Sequence, residues 1–172
     1  GVIVYACTLP FLNYPIAEKL SLLTGIKKVF VENDANAAAK GEATIGAAKG
    51  CTHSVMITLG TGVGGGIIID NKVYSGFNFA GAELGHIVIV HGGKECTCGR
   101  NGCWEAYASA TALTEQTKEK MLRHRDSAMW KLAEGNIEKV GGKTAFTAMK
   151  QGDKAAREVV DAYIGYLACG IV

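Results

Sequence analysis

The apolar and polar positions of this 172-residue chain change period along its length. Residues 2–6 form a short continuous apolar run that predicts a buried strand, closed by Thr8, Leu9 and Pro10. Pro15 then opens a helix that runs to Thr24, with Gly25 as its stop. Residues 28–31 predict a second strand, and the alanine-rich stretch 34–44 predicts a helix capped by Asn33 or Asp34. Residues 53–59 and 65–70 predict two apolar strands around a glycine turn, and Asn71 and Lys72 turn the chain into a third strand at 73–75. A loop over 77–85 leads to a short strand at 86–90. Beyond Cys103 the period is helical: Ser109 caps a helix to Arg123, and further helices cover 126–134, 144–151 and the stretch from Asp153 onward. Strands first and helices later, with one strand–helix–strand unit at the start, predict an α/β protein.

Composition narrows the classes. Hydrophobic residues make up 48% and charged residues 20% of the chain, which excludes a disordered polymer. The apolar runs are too short to span a bilayer, so no membrane association is expected. Eighteen basic against sixteen acidic side chains leave a net charge of +2, too even for a nucleic-acid surface. Gly1 leads straight into an apolar run, and the last stretch is still apolar where the sequence stops. The expectation is therefore an interior piece of a longer protein.

Glycine is over-represented, with 23 residues, fifteen of them between positions 41 and 102. The stretch Gly60-Thr61-Gly62-Val63-Gly64-Gly65-Gly66 contains a formal G-x-G-x-x-G. A dinucleotide fingerprint requires the third glycine to open a helix, whereas Ile67, Ile68 and Ile69 continue as strand. No Gly-Lys-Ser/Thr follows either, so a P-loop fails as well. What remains is a glycine-lined hairpin whose N–H groups, with the Thr61 hydroxyl, suit phosphate oxygens. It is expected to be an element separate from the cysteine loop that follows. Glu32-Asn33-Asp34-Ala35-Asn36 stands where a strand is expected to end and a helix to begin, the usual place for a ligand crevice. There Asp34 can serve as a helix cap or as a base.

His86, Cys96, Cys98 and Cys103 carry the strongest signal. Three thiolates and an imidazole match a closed tetrahedral zinc site, and four protein ligands make such a zinc structural. A disulfide would leave the third cysteine unexplained. Reduced thiols place the expected compartment in the cytoplasm. Glu83 and His86 flank Gly85, and Glu105 follows the last ligand by two residues, so the metal loop carries two carboxylates suited to a polyol. Cys7, Cys51 and Cys169 are expected to be packed thiols.

The segments Glu32-Asn33-Asp34-Ala35-Asn36-Ala37-Ala38, Leu59 through Gly66, Gly81-Ala82-Glu83-Leu84-Gly85-His86 and Cys96-Thr97-Cys98-Gly99-Arg100-Asn101-Gly102-Cys103-Trp104-Glu105 resemble the ROK family of repressors, open reading frames and kinases. With Tyr107-Ala108-Ser109-Ala110, the chain is most similar to the bacterial glucokinases of that family, over essentially all 172 residues. The resemblance implies an actin-like ATPase (ribonuclease H-like) fold. Residues 1–32 then belong to the small N-terminal domain, and 33–172 to an incomplete large domain. It implies transfer of the ATP γ-phosphoryl to the 6-hydroxyl of glucose or a related hexose, with Mg-ATP as co-substrate and a homodimer as the assembly. By position, Asp34 matches the general base. Asn33, Glu83, His86 and Glu105 match the sugar ligands, and Gly60, Thr61 and Gly62 match a phosphate loop.

The family's Asp-x-Gly-Gly-Thr loop and its adenosine motif do not occur in the chain, so the chain alone is expected to be inactive. The alternatives are a sugar-responsive transcriptional repressor, a kinase for N-acetylglucosamine, N-acetylmannosamine or fructose, and a zinc-stabilised interaction module.

Overall fold

A computed structural model describes residues 1–6 and 9–172, with the backbone alone at Tyr5. Cys7 and Thr8, and the expectations placed on them, lie outside the described residues. The chain divides into two compact units, Gly1–Met56 with Gly66–Ser75, and Ile57–Gly65 with Gly76–Val172.

In the first unit, β1 (Ile3–Tyr5) pairs antiparallel with β2 (Leu12–Tyr14), with Ile3 opposite Tyr14. The second of these strands has no periodic signal and was not expected. The first is not buried either, since Val2 and Val4 are exposed. Helix α1 (Ile16–Thr24) begins after Pro15 and ends at Gly25, whose φ of 73° closes the helix by donating its N–H to Ser21. Residues 28–31 form no strand. Phe30 is 90% exposed, and among the described residues no strand pairs with this run, so it has no ladder to join. Helix α2 (Asp34–Ile45) buries Ala35, Asn36 and Ala39. Gly66 lets the sheet approach it, because a Cβ there would meet the Ala39 Cβ at 2.5 Å.

Strands β3 (Ser54–Leu59), β4 (Val63–Ile69) and β5 (Lys72–Val73) form one sheet in that order, with Ile68 opposite Val73. The β4–β5 turn is centred on Asp70 and Asn71, one residue earlier than expected. Their φ values of 50° and 63° fit the primed turn that matches strand twist.

In the second unit the expected strand at 86–90 is absent. A 3-10 turn (Leu84–His86) leads into backbone that bonds the cysteine loop, through a single Val88–Cys103 bridge and the Ile89 N–H to Gly102 C=O bond of 2.9 Å. A one-residue ladder is too short to be a strand. Short helix α3 (Glu105–Ala108) precedes α4 (Ala110–Arg123), α5 (Ala128–Leu132), α6 (Thr144–Lys150) and α7 (Lys154–Ile171). Buried Leu113, Met121, Met129, Val159, Val160 and Tyr163 form the core between the longer helices. Cys51 and Cys169 are exposed, contrary to expectation, because Cys51 follows the turn at Gly50 and Cys169 lies on the outer side of α7.

Asp153 joins two helix starts in this bundle. It accepts from Ala156 N–H (2.8 Å) at the start of α7, and from Ser127 Oγ–H (2.8 Å) and Ala128 N–H (2.6 Å) at the start of α5. Partial burial acts to raise its carboxyl, and these donors outweigh it, so the group lies below its ordinary value. An unfolded Asp titrates near about 3.9, so this stabilisation is present above that pH and is lost as pH falls through the lower native value. Asp153→Ala is expected to cost about 2 kcal/mol at pH 7, as a lost cap does. Urea midpoints should show that gap narrowing as pH falls below about 3.9, and a gap constant with pH would rule the carboxylate out as its source.

Among the described residues, no helix is long and apolar enough to cross a membrane.

Candidate metal centre and adjoining hairpin

The four ligand atoms of His86, Cys96, Cys98 and Cys103 lie within 4.8 Å of one another. The Cys98 and Cys103 sulfurs are 3.6 Å apart, as are the Cys96 sulfur and His86 Nδ1. A disulfide would bring sulfurs to about 2.05 Å. A tetrahedron of Zn–S bonds near 2.3 Å would separate them by about 3.8 Å. The residues therefore fit zinc.

The backbone builds this cluster locally. Cys96 N–H donates to Arg100 C=O (2.8 Å), Gly99 N–H to Cys96 C=O (2.9 Å) and Gly102 N–H to Lys94 C=O (2.7 Å). Cys96 and Cys103 are buried and Cys98 is half-buried. The backbone N–H of Arg100, helped by its guanidinium and the neighbouring thiols, lowers Cys98 to about 6 against the pull of burial. Burial, with Cys98 and Cys96 beside it, pushes Cys103 up to about 12. One thiolate thus forms readily, and a divalent cation would offset the cost of the others. Because Nδ1 of His86 faces the sulfurs, Nε2 is the nitrogen left for another partner.

The hairpin is not separate from this loop. Glu105, two residues past Cys103, accepts the Val63 N–H through Oε2 at 2.9 Å. Ala110 N–H donates to Gly60 C=O and Thr111 Oγ–H to Thr61 C=O, each at 2.9 Å. A Cβ at residue 62 would lie 2.2 Å from Glu105 Oε2, and one at Gly85 would lie 2.1 Å from the Val63 carbonyl oxygen. Much of the glycine excess therefore serves close packing, since neither position has positive φ. Behind them, Trp104 is fully buried and donates its indole N–H to Tyr166 C=O at 2.8 Å. Thr61, Glu105, Ser109 and Thr111 line an open pocket of about 160 Å³, also bordered by Lys94 and Cys96. Among the described residues, the N–H groups of Thr61 and Gly62 have no partner. Glu83 is exposed beside His86 and does not line this pocket.

Asn33 and Asp34 lie in the other unit. Asn33 is the cap of α2: its Oδ1 accepts the Asn36 N–H at 3.1 Å. Among the described residues Asp34 accepts one hydrogen bond, from the N–H of Ala35 through Oδ1 at 2.9 Å, and it is exposed. Sequence reasoning passed over Asn36, which is buried and donates to Glu32 Oε1 at 3.3 Å. Its place on the inner face of α2, three residues after the cap, is the signal that could have found it.

Comparison with known proteins settles the class. The ROK family model matches residues 1–172, and the chain belongs to the ROK family. Its α/β architecture is that of the family's sugar kinases, the actin-like ATPase fold. The crystal structure of a ROK family glucokinase from Streptomyces griseus, in complex with glucose and AMPPNP, superposes with a TM-score of 0.88 at 38% identity. The superposition covers 99% of this chain and 55% of that one. Among curated relatives, the glucokinase of Thermotoga maritima is 44% identical over 156 residues, 91% of this chain and 49% of its own length. The xylose repressor of Bacillus subtilis is 47% identical over 100 residues, 57% of this chain and 26% of its own length. The chain spans about half the length of the glucokinases it matches.

Proposed function

We propose that the protein carrying this chain is an ATP-dependent glucokinase that transfers the γ-phosphoryl group to the 6-hydroxyl of glucose. In this reading residues 1–32 are the tail of a smaller domain and 33–172 form most of a larger one. The observation that carries the reading is the division of labour at α2. Asn33 caps the helix, and Asp34 keeps a carboxylate oxygen for chemistry. Asp34 is the general base that takes the proton of the attacking hydroxyl, a role worth about 10²–10⁴-fold.

Asn33, Glu83, His86 and Glu105 bind the sugar hydroxyls, His86 through Nε2. The free N–H groups of Thr61 and Gly62 and the Thr61 hydroxyl receive phosphate oxygens at the turn that begins at Gly60. Magnesium bound with ATP supplies neutralisation of phosphate charge. Zinc, when held by His86, Cys96, Cys98 and Cys103, supplies a structural cross-link that fixes the backbone on either side of Glu83 and Glu105. The protein works in the cytoplasm as a homodimer.

Phosphorylation of a panel of glucose, fructose, N-acetylglucosamine and N-acetylmannosamine by the native protein tests the reading. Glucose is expected to have the highest kcat/KM, and no turnover of any sugar would sink it. The xylose repressor's identity favours one other reading, a sugar-responsive repressor. Sugar binding without turnover, accompanied by release from operator DNA, would establish that instead.

A further inference from the structure

We infer that the Glu105 carboxylate couples the sugar site to the phosphate hairpin, with one oxygen serving each. The inference rests on the reading of Glu105 as a sugar ligand and adds a positioning role to it. Three bonds hold the turn at residues 60–62 against the segment 105–111: Ala110 N–H to Gly60, Thr111 hydroxyl to Thr61, and Val63 N–H to Glu105. Glu105 alone brings a charge to the turn. Its Oε1 has no hydrogen-bond partner among the described residues. Glu105 and Thr61 also line the same open pocket.

A sugar hydroxyl that donates to Oε1 fixes the carboxylate rotamer. Oε2 is then held on Val63, and the turn is ordered before nucleotide arrives. The second ligand has less freedom left to lose, which is positive cooperativity without rearrangement. Linkage makes the effect reciprocal: nucleotide tightens sugar by the same factor.

The test measures glucose affinity of the native protein with and without saturating AMPPNP, in wild type, Glu105→Gln and Glu105→Ala. Couplings of this kind run from about 5-fold to 150-fold, and about 10-fold tightening is expected in wild type. Glu105→Gln keeps an acceptor for Val63 and should bind glucose more weakly while retaining most of the tightening. Glu105→Ala should bind glucose weakly and lose the tightening. A wild type without tightening overturns the coupling, as does a Glu105→Ala protein that keeps it while losing glucose affinity. That second result would leave the sugar-ligand reading standing. Unchanged glucose affinity in Glu105→Ala would instead overturn the sugar-ligand reading and the coupling with it. If Glu105→Ala does not fold, amide exchange at Val63 in wild type decides. Glucose alone should slow it severalfold, and an unchanged rate overturns the coupling.

Discussion

Asp34→Asn is expected to lower kcat by about 10²–10⁴-fold while leaving the glucose dissociation constant within about twofold. The asparagine is nearly isosteric, and the cap of α2 stays with Asn33, so the helix start is unaffected. Loss of kcat with binding preserved is the mark of a group that acts in the transition state. Rapid-quench measurement of a single turnover isolates the chemical step from product release. A variant that turns over at the wild-type rate would return Asp34 to an ordinary residue of the first helical turn, worth at most about 1 kcal/mol of stability.

Removal of zinc is expected to raise KM for glucose and for ATP together, each by about 10–100-fold. A hairpin independent of the metal loop would spare ATP. Here the bond from Val63 to Glu105, and those from Ala110 and Thr111 to the turn, tie the hairpin to the segment that begins at Cys103. Trp104, buried beside Cys103 and anchored on Tyr166, should redden in emission as the loop loosens. Kinetics after chelation, with zinc counted by elemental analysis, decide the matter. An unchanged KM for ATP at zero zinc would show that the hairpin stands without the metal.

The parts of this fold that were legible in the sequence are those closed by a neighbour a few residues away. Gly25 ends α1, Asn33 starts α2 and Ser109 starts α4, where its Oγ accepts the Ala112 N–H at 3.0 Å. The cysteine cluster was legible for the same reason, since its three cysteines fall within eight residues and the chemistry of three thiolates with an imidazole is specific. Residues 28–31 and 86–90 misled because apolar content does not show whether a partner strand exists. The hairpin bond to Glu105 was invisible because 42 residues separate donor from acceptor. The only trace was glycine at positions such as 62 where no positive φ demands it. Cys51 and Cys169 misled because residue type alone does not set exposure, which a turn and the outer side of a helix decide here.

Position 62 and position 105 also constrain one another as an allowed pair. A methyl group at 62 and a carboxylate at 105 claim the same space, so either residue changed alone meets a clash or a void. A mutagenesis library that varies the hairpin one codon at a time would score each side chain at 62 by how far it displaces the end of the Glu105 carboxylate from Val63, and so would favour glycine. It would misread a negotiable site as an immovable one. Joint randomisation of both codons, admitting a shorter side chain at 105 with a small one at 62, opens combinations that single-site scanning cannot reach. Because Glu105 is also proposed to face the sugar, that paired search is a direct route to altered substrate preference.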